Sequence, residues 1–172
     1  MFRKYIVLWL TTAISFTAIF TATACPLHFG YNDSEQGMIP GAQTMKSATI
    51  FYTKHGDIKE PASLLPAATF QRASWWLTLL AKELQSTSFN SAYILLIDIP
   101  LWSQIDLNRS NGISIDVPQP ETPDNTILMT QASLNAIISN QITIADAIDM
   151  GLISFHNLDT HIMDEVRKLP RH

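Results

Sequence analysis

Hydrophobic and polar positions change their period twice along the chain, and the changes divide it into elements. Residues 5–20 form a continuous apolar run. In residues 44–55, TMKSATIFYTKH, Ala48, Phe51, Tyr52 and His55 share one helical face, with Thr44 placed to cap the start and Gly56 to end it. Two prolines interrupt residues 57–67, which read as a linker. Residues 69–86 carry the strongest helical signal. There Phe70, Ala73, Trp76, Leu77, Leu80 and Leu84 recur at helical spacing behind Thr69 as cap. Trp75 and Trp76 project about 100° apart on such a helix, so at least one packs inward.

From Ser91 the period becomes that of strands. SAYILLIDI is a continuous apolar run, LWSQIDL and ISIDV alternate, and Asn111-Gly112 signals a turn between them. NTILM is a fourth strand, after the proline-rich PQPETPD loop. Short links between consecutive strands predict an antiparallel meander. The helical period then returns. Thr130 caps QASLNAIIS, whose apolar face holds Leu134, Ile137 and Ile138, and Asn140 stands where a left-handed residue is expected. Thr143 caps IADAIDM, with Asp146 placed to complete a capping box and Gly151 to end the helix. LISF is a fifth strand, and the charged C-terminal stretch predicts a last helix.

The predicted class is α+β: a five-stranded, mainly antiparallel sheet covered on one face by helices and preceded by a cleavable signal segment. The division that follows is residues 1–24 as signal peptide, 25–66 as an N-terminal arm with a short helix, 67–158 as the α+β domain, and 159–172 as a C-terminal tail.

The N-terminus changes this picture most. Arg3 and Lys4 precede the apolar run, and Ala22-Thr23-Ala24 is a small-residue cleavage pattern that leaves Cys25 first in the mature chain. The same residues resemble a bacterial lipobox with Ala22 where Leu is usual, so Cys25 is a candidate for lipid attachment. Plain secretion and an uncleaved anchor remain alternatives, because residues 5–24 just reach the length of a bilayer span. All three routes point to the periplasm or cell envelope. Removing residues 1–24 takes the basic residues from 11 to nine against 15 acidic ones, a formal charge of −6. Without a Lys/Arg cluster, such a chain has no basis for binding nucleic acid.

Candidate chemistry is sparse. Cys25 and His28 offer two metal ligands where a closed zinc site needs four, and the other histidines are scattered. A single cysteine forms no internal disulfide. Motifs for hydrolases, phosphate loops and zinc proteases are missing. Asp146 and Asp149 lie a helical turn apart but suit capping and solvation better than paired acid–base work. His161 beside Asp159 is a weak base-and-orienter pair. The expectation is a protein that is not an enzyme and uses no cofactor.

Residues 123–155, PDNTILMTQASLNAIISNQITIADAIDMGLISF, resemble the C-terminal half of the sterol carrier protein type two superfamily. Pro123, Asp124, Leu134, Ile137, Ile138, Ala147, Gly151, Ile153 and Phe155 match its pattern. Asn140 stands for the usual Gly, Thr143 for a common Pro, and His156-Asn157 for the usual Gly-Asp. The meander fits the same fold, so the resemblance spans residues 69–155. It implies helices over one face of the sheet and an apolar interior that holds sterols, fatty acids, acyl-CoA or isoprenoid lipids. Here Trp76, Leu80, Leu134, Ile137, Ile138 and Ile148 would line it. The implied function is an exported lipid-binding protein, periplasmic or tethered to the membrane through Cys25. The alternative is a non-enzymatic interaction module of the cell envelope with a filled core.

Overall fold

The computed structural model describes residues 39–87, 91–106, 108 and 112–169. The signal segment, Cys25, His28 and the start of the arm lie outside the described residues, as does His172.

Helix α1 (Ala42–His55) begins earlier than Thr44, the expected cap. Its N-cap is Gly41, at φ 92°, with no side-chain cap. A Cβ on Gly41 would stand 2.8 Å from the Ser154 hydroxyl, so contact with the last strand and a left-handed turn together set the start. Gly56, at φ 81°, ends the helix as expected. Helix α2 (Pro66–Leu84) also begins early. Pro66 opens it, since its fixed φ suits the first turn and its missing N–H would be unpaired there in any case. Thr69 is therefore inside the helix. Ala73, Leu77, Leu80, Ala81 and Leu84 form its buried stripe. Each buried leucine contributes about 1.5–3 kcal/mol by leaving water.

Strands β1 (Ser91–Leu96), β2 (Leu101–Asp106), β3 (Ile113–Ile115), β4 (Thr126–Met129) and β5 (Ile153–His156) build one sheet in the order β3-β2-β1-β4-β5. β1, β2 and β3 form the expected meander, and β5 is antiparallel to β4. The fourth strand departs from the expectation. β4 runs parallel to β1, with Ile94 beside Ile127 and Leu96 beside Met129. The proline-rich loop carries the chain back before β4 enters, so no tight hairpin imposes an antiparallel direction.

Three helices follow β4 or flank β5: α3 (Gln131–Ile138), α4 (Ile144–Asp149) and α5 (Thr160–Arg167). Thr130 accepts the Ser133 N–H at 3.1 Å and caps α3. Asn140 takes the left-handed conformation beyond it. Thr143 and Asp146 make the capping box of α4, and Gly151 turns the chain into β5. Asp159 accepts the His161 N–H at 2.8 Å to cap α5.

Alternation along the strands separates two clusters. Ala92, Ile94, Leu96, Leu101, Ile105, Ile127, Met129 and Ile153 meet α2, α3 and α4 in the main core. The other face of the sheet carries Leu95, Ile97, Trp102 and Leu128, joined by Ile39, Ala42 and Met45. Helix α1 thus belongs to both sides: Ala42 and Met45 reach the second cluster, while Ala48 and Tyr52 pack on the first. Among the described residues, no helix is long and apolar enough to cross a membrane.

Candidate functional site

Parallel pairing puts the carboxyl ends of β1 and β4 side by side, and α3 starts directly after β4. The first turn of α3 therefore opens beside the end of β1. Clefts of α/β sheets form at such places, because strand ends and helix starts leave polar backbone to be satisfied. Here a cleft of about 680 Å³ lies between that junction, α1, the 57–65 linker and the start of α2.

One stripe of α1 forms a wall: Lys46, Thr49, Ile50, Thr53 and Lys54, at helical spacing. The linker adds Glu60, Pro61, Ala62, Ser63 and Leu64. The floor is Ile97, Asp98 and Pro100 after β1, with Thr130, Gln131 and Ala132 at the start of α3. Thr69 and Arg72 of α2 close the remaining side.

A polar chain crosses this cleft. The Asp98 carboxylate accepts the Gln131 backbone N–H at 3.0 Å and its side-chain amide at 3.3 Å. The Gln131 amide oxygen accepts from Arg72 at 3.4 Å. Arg72 also donates to the Ala62 carbonyl at 2.6 Å and stacks 4.9 Å over the Trp76 ring. Its Nε is buried without a hydrogen-bond partner. By area Asp98 is an exposed residue, yet its carboxyl is enclosed by the chain ends around it. That burial raises its pKa above 3.8, and the hydrogen bonds from Gln131 oppose the shift without cancelling it.

Hydroxyls fix the adjoining wall. Thr49 donates to the Met45 carbonyl and lies 3.2 Å from the Thr130 hydroxyl, which is 2.8 Å from that of Ser133. This buried set ties α1 to the start of α3. The linker is held too, since Ile58 is buried and the Lys59 N–H donates to Gln141 at 2.9 Å. The cleft is thus a built feature with apolar walls (Ile50, Leu64, Ile97), the half-buried Arg72, two lysines and two carboxylates, Glu60 and Asp98. The Gln131 and Ser133 N–H groups are already taken by Asp98 and Thr130. The charged groups an incoming anion meets are therefore Arg72, Lys46 and Lys54, set against Glu60 and Asp98, rather than open backbone at α3.

The six side chains assigned from the sequence to an apolar interior all fall in the main core. Leu80, Leu134 and Ile137 are buried in it, and Trp76, Ile138 and Ile148 pack against it half-buried. None of the six lines the cleft. Trp76 comes nearest, as the ring on which Arg72 rests. Arg72, Gln131, Asp98 and Thr49 were not singled out by sequence. The one local signal was an acid, Asp98, at the end of the long apolar strand.

The carboxylates weighed for acid–base chemistry have structural partners. Asp146 caps α4, Asp149 pairs with Arg167, and Asp159 caps α5. The His161 ring faces Glu165 at 3.8 Å. Among the described residues, no group of three or more His, Cys, Asp or Glu stands together as a metal site.

No family model matches the chain, and no curated protein matches it. Among solved structures, it is similar to palmitated SCP2L2 from Aedes aegypti at 18% identity and TM-score 0.36, covering 48% of this chain and 70% of that one. The chain is also similar to the stereoselective inverting sec-alkylsulfatase Pisa1 from Pseudomonas sp., at 16% identity and TM-score 0.36. That match covers 54% of this chain but only 14% of the sulfatase.

Proposed function

We propose that the protein is an exported, non-enzymatic lipid-binding protein of the periplasm or cell envelope that holds an amphipathic anion, such as a fatty acid, in this cleft. The carrying observation is that apolar walls and the half-buried Arg72 line one space of about 680 Å³. That volume is in the range of ordinary small-ligand pockets. Each methylene moved from water onto Ile50, Leu64 or Ile97 contributes about 0.8 kcal/mol. The carboxylate would lie toward Arg72, whose planar donor set suits such a group. An acyl tail would lie along Ile50, Leu64 and Ile97. Cys25, if lipidated, would tether the module to the membrane.

Leu134, at 0% exposure, and Ile137, at 4%, favour a second reading, because they close on their neighbours. In that reading the interior is filled, and the protein is an interaction module of the envelope. Native mass spectrometry separates the two. A one-to-one complex with palmitate that Arg72→Met weakens supports the lipid reading, and a chain that stays empty at saturating palmitate supports the module.

A further inference from the structure

Every large apolar side chain that stays exposed among the described residues falls in one stretch of the chain. Ile50 is 55% exposed, Phe51 52%, Leu64 45%, Leu65 80% and Trp75 59%. Ile50 and Leu64 stand on the mouth of the cleft, so α1 and the linker present them together. Leu65, Ala68, Arg72 and Trp75 follow at steps of three and four, which puts Trp75 on the same side of α2 as the Arg72 that lines the cleft. Phe51 rests on the His55 ring beside Lys54, with ring centres 4.1 Å apart.

Charge is segregated in the same way. Between Ile39 and Trp75 the described residues hold Lys46, Lys54, Lys59 and Arg72 against Asp57 and Glu60. Beyond Trp75 they hold Lys82, Arg167 and Lys168 against 11 acids. The stretch from Ile39 to Trp75 is thus net positive in an otherwise acidic protein, and it holds the exposed aromatic and aliphatic residues. Exposed aromatic rings and leucines in a net-positive stretch match the boundary of a bilayer with anionic headgroups, where rings sit at headgroup depth and each nearby lysine adds attraction.

We propose that this face, formed by α1, the linker and the start of α2, docks on anionic lipid membranes with Phe51, Leu65 and Trp75 entering the headgroup boundary. Docking stands on this surface alone. That the cleft then opens onto the membrane rests on the lipid-binding reading. Phe51, Leu65 and Trp75 do not line the cleft, so losing the docking need not lose the ligand.

The test uses the full chain with vesicles of phosphatidylcholine, with or without phosphatidylglycerol, carrying brominated acyl chains. The Trp75 signal is the difference between wild type and Trp75→Phe. This difference reports contact of Trp75 itself, even if residues 1–38 bind the vesicle. Quenching of Trp75 by anionic vesicles is expected, several-fold less by neutral ones. Lys54→Glu with Lys59→Glu, and separately Phe51→Ser with Leu65→Ser, should each weaken it roughly tenfold, and the second pair, which does not line the cleft, should do so with palmitate occupancy by native mass spectrometry unchanged. Unquenched Trp75 in vesicle-bound protein overturns the proposal, as does quenching indifferent to the lysine reversals. Shielding of Trp75 in a dimer or a complex with another protein, without vesicles, would give the face to that occupant and also overturn it.

Discussion

The Asp98 carboxylate holds both the backbone N–H and the side-chain amide of Gln131, 33 residues away, through its Oδ2 at 3.0 and 3.3 Å. This pairing joins the end of β1 to the start of α3 and fixes one end of the polar chain that runs to Arg72.

Its acidity gives the first prediction. Burial raises the carboxyl above 3.8, so the folded protein holds the proton more tightly than the unfolded chain. The stabilisation this gives is complete below 3.8 and is lost as pH rises through the higher folded value. Asp98→Asn carries no such charge and should lack this loss. Urea midpoints measured from about pH 3 to about pH 8 should show the variant gaining on wild type as pH rises through that window. Parallel curves would contradict the assignment.

Thr130 caps α3 and also meets the hydroxyls of Thr49 and Ser133. Thr130→Ala should cost about 1–2 kcal/mol in chemical unfolding, from the lost cap and the stranded hydroxyls. Thr130→Ser should recover most of it. A loss below about 0.3 kcal/mol would mean that the network carries nothing.

Ser103 is fully buried on the helix-facing side of β2, beside Ile94 and Ile115, and its hydroxyl has no partner. Replacing a buried unpaired hydroxyl with a methyl group removes a desolvation cost. Ser103→Ala should therefore raise stability, by about 1 kcal/mol. A loss of stability would show that the hydroxyl is satisfied in solution.

The two sides of α2 should respond unequally. Leu80→Ala opens space in the main core and should cost about 2–5 kcal/mol. Trp75→Ala, on the opposite side, should change stability by about 0.5 kcal/mol or less. Comparable losses at both positions would place Trp75 in a core contact.

Features decided within a few residues were legible in the sequence. Thr130, Thr143 with Asp146, Asn140 and Gly151 act over a single turn, and each does what its type and spacing suggest. The helix starts at Thr44 and Thr69 were misread for a physical reason. Gly41 packs against β5 and Pro66 begins α2, and both outrank a threonine further in. The parallel run of β4 beside β1 depends on a crossing connection rather than on either strand's pattern. The cleft was the least legible part. Asp98, Gln131 and Arg72 meet across separations of 33 and 59 residues, which leave no periodic trace. The apolar six were visible as a stripe, and the stripe is the core on which Arg72 and Trp76 rest.

The central claim is that this cleft is the place where an amphipathic anion binds. The most direct measurement is photo-crosslinking of the full chain with a fatty acid bearing a diazirine on its tail, followed by peptide mapping. The account predicts one saturable label, competed by palmitate and found on cleft residues such as Ile50, Leu64 and Ile97 or on the neighbouring Trp76. Labelling that does not saturate, or that misses all of these positions, would contradict it.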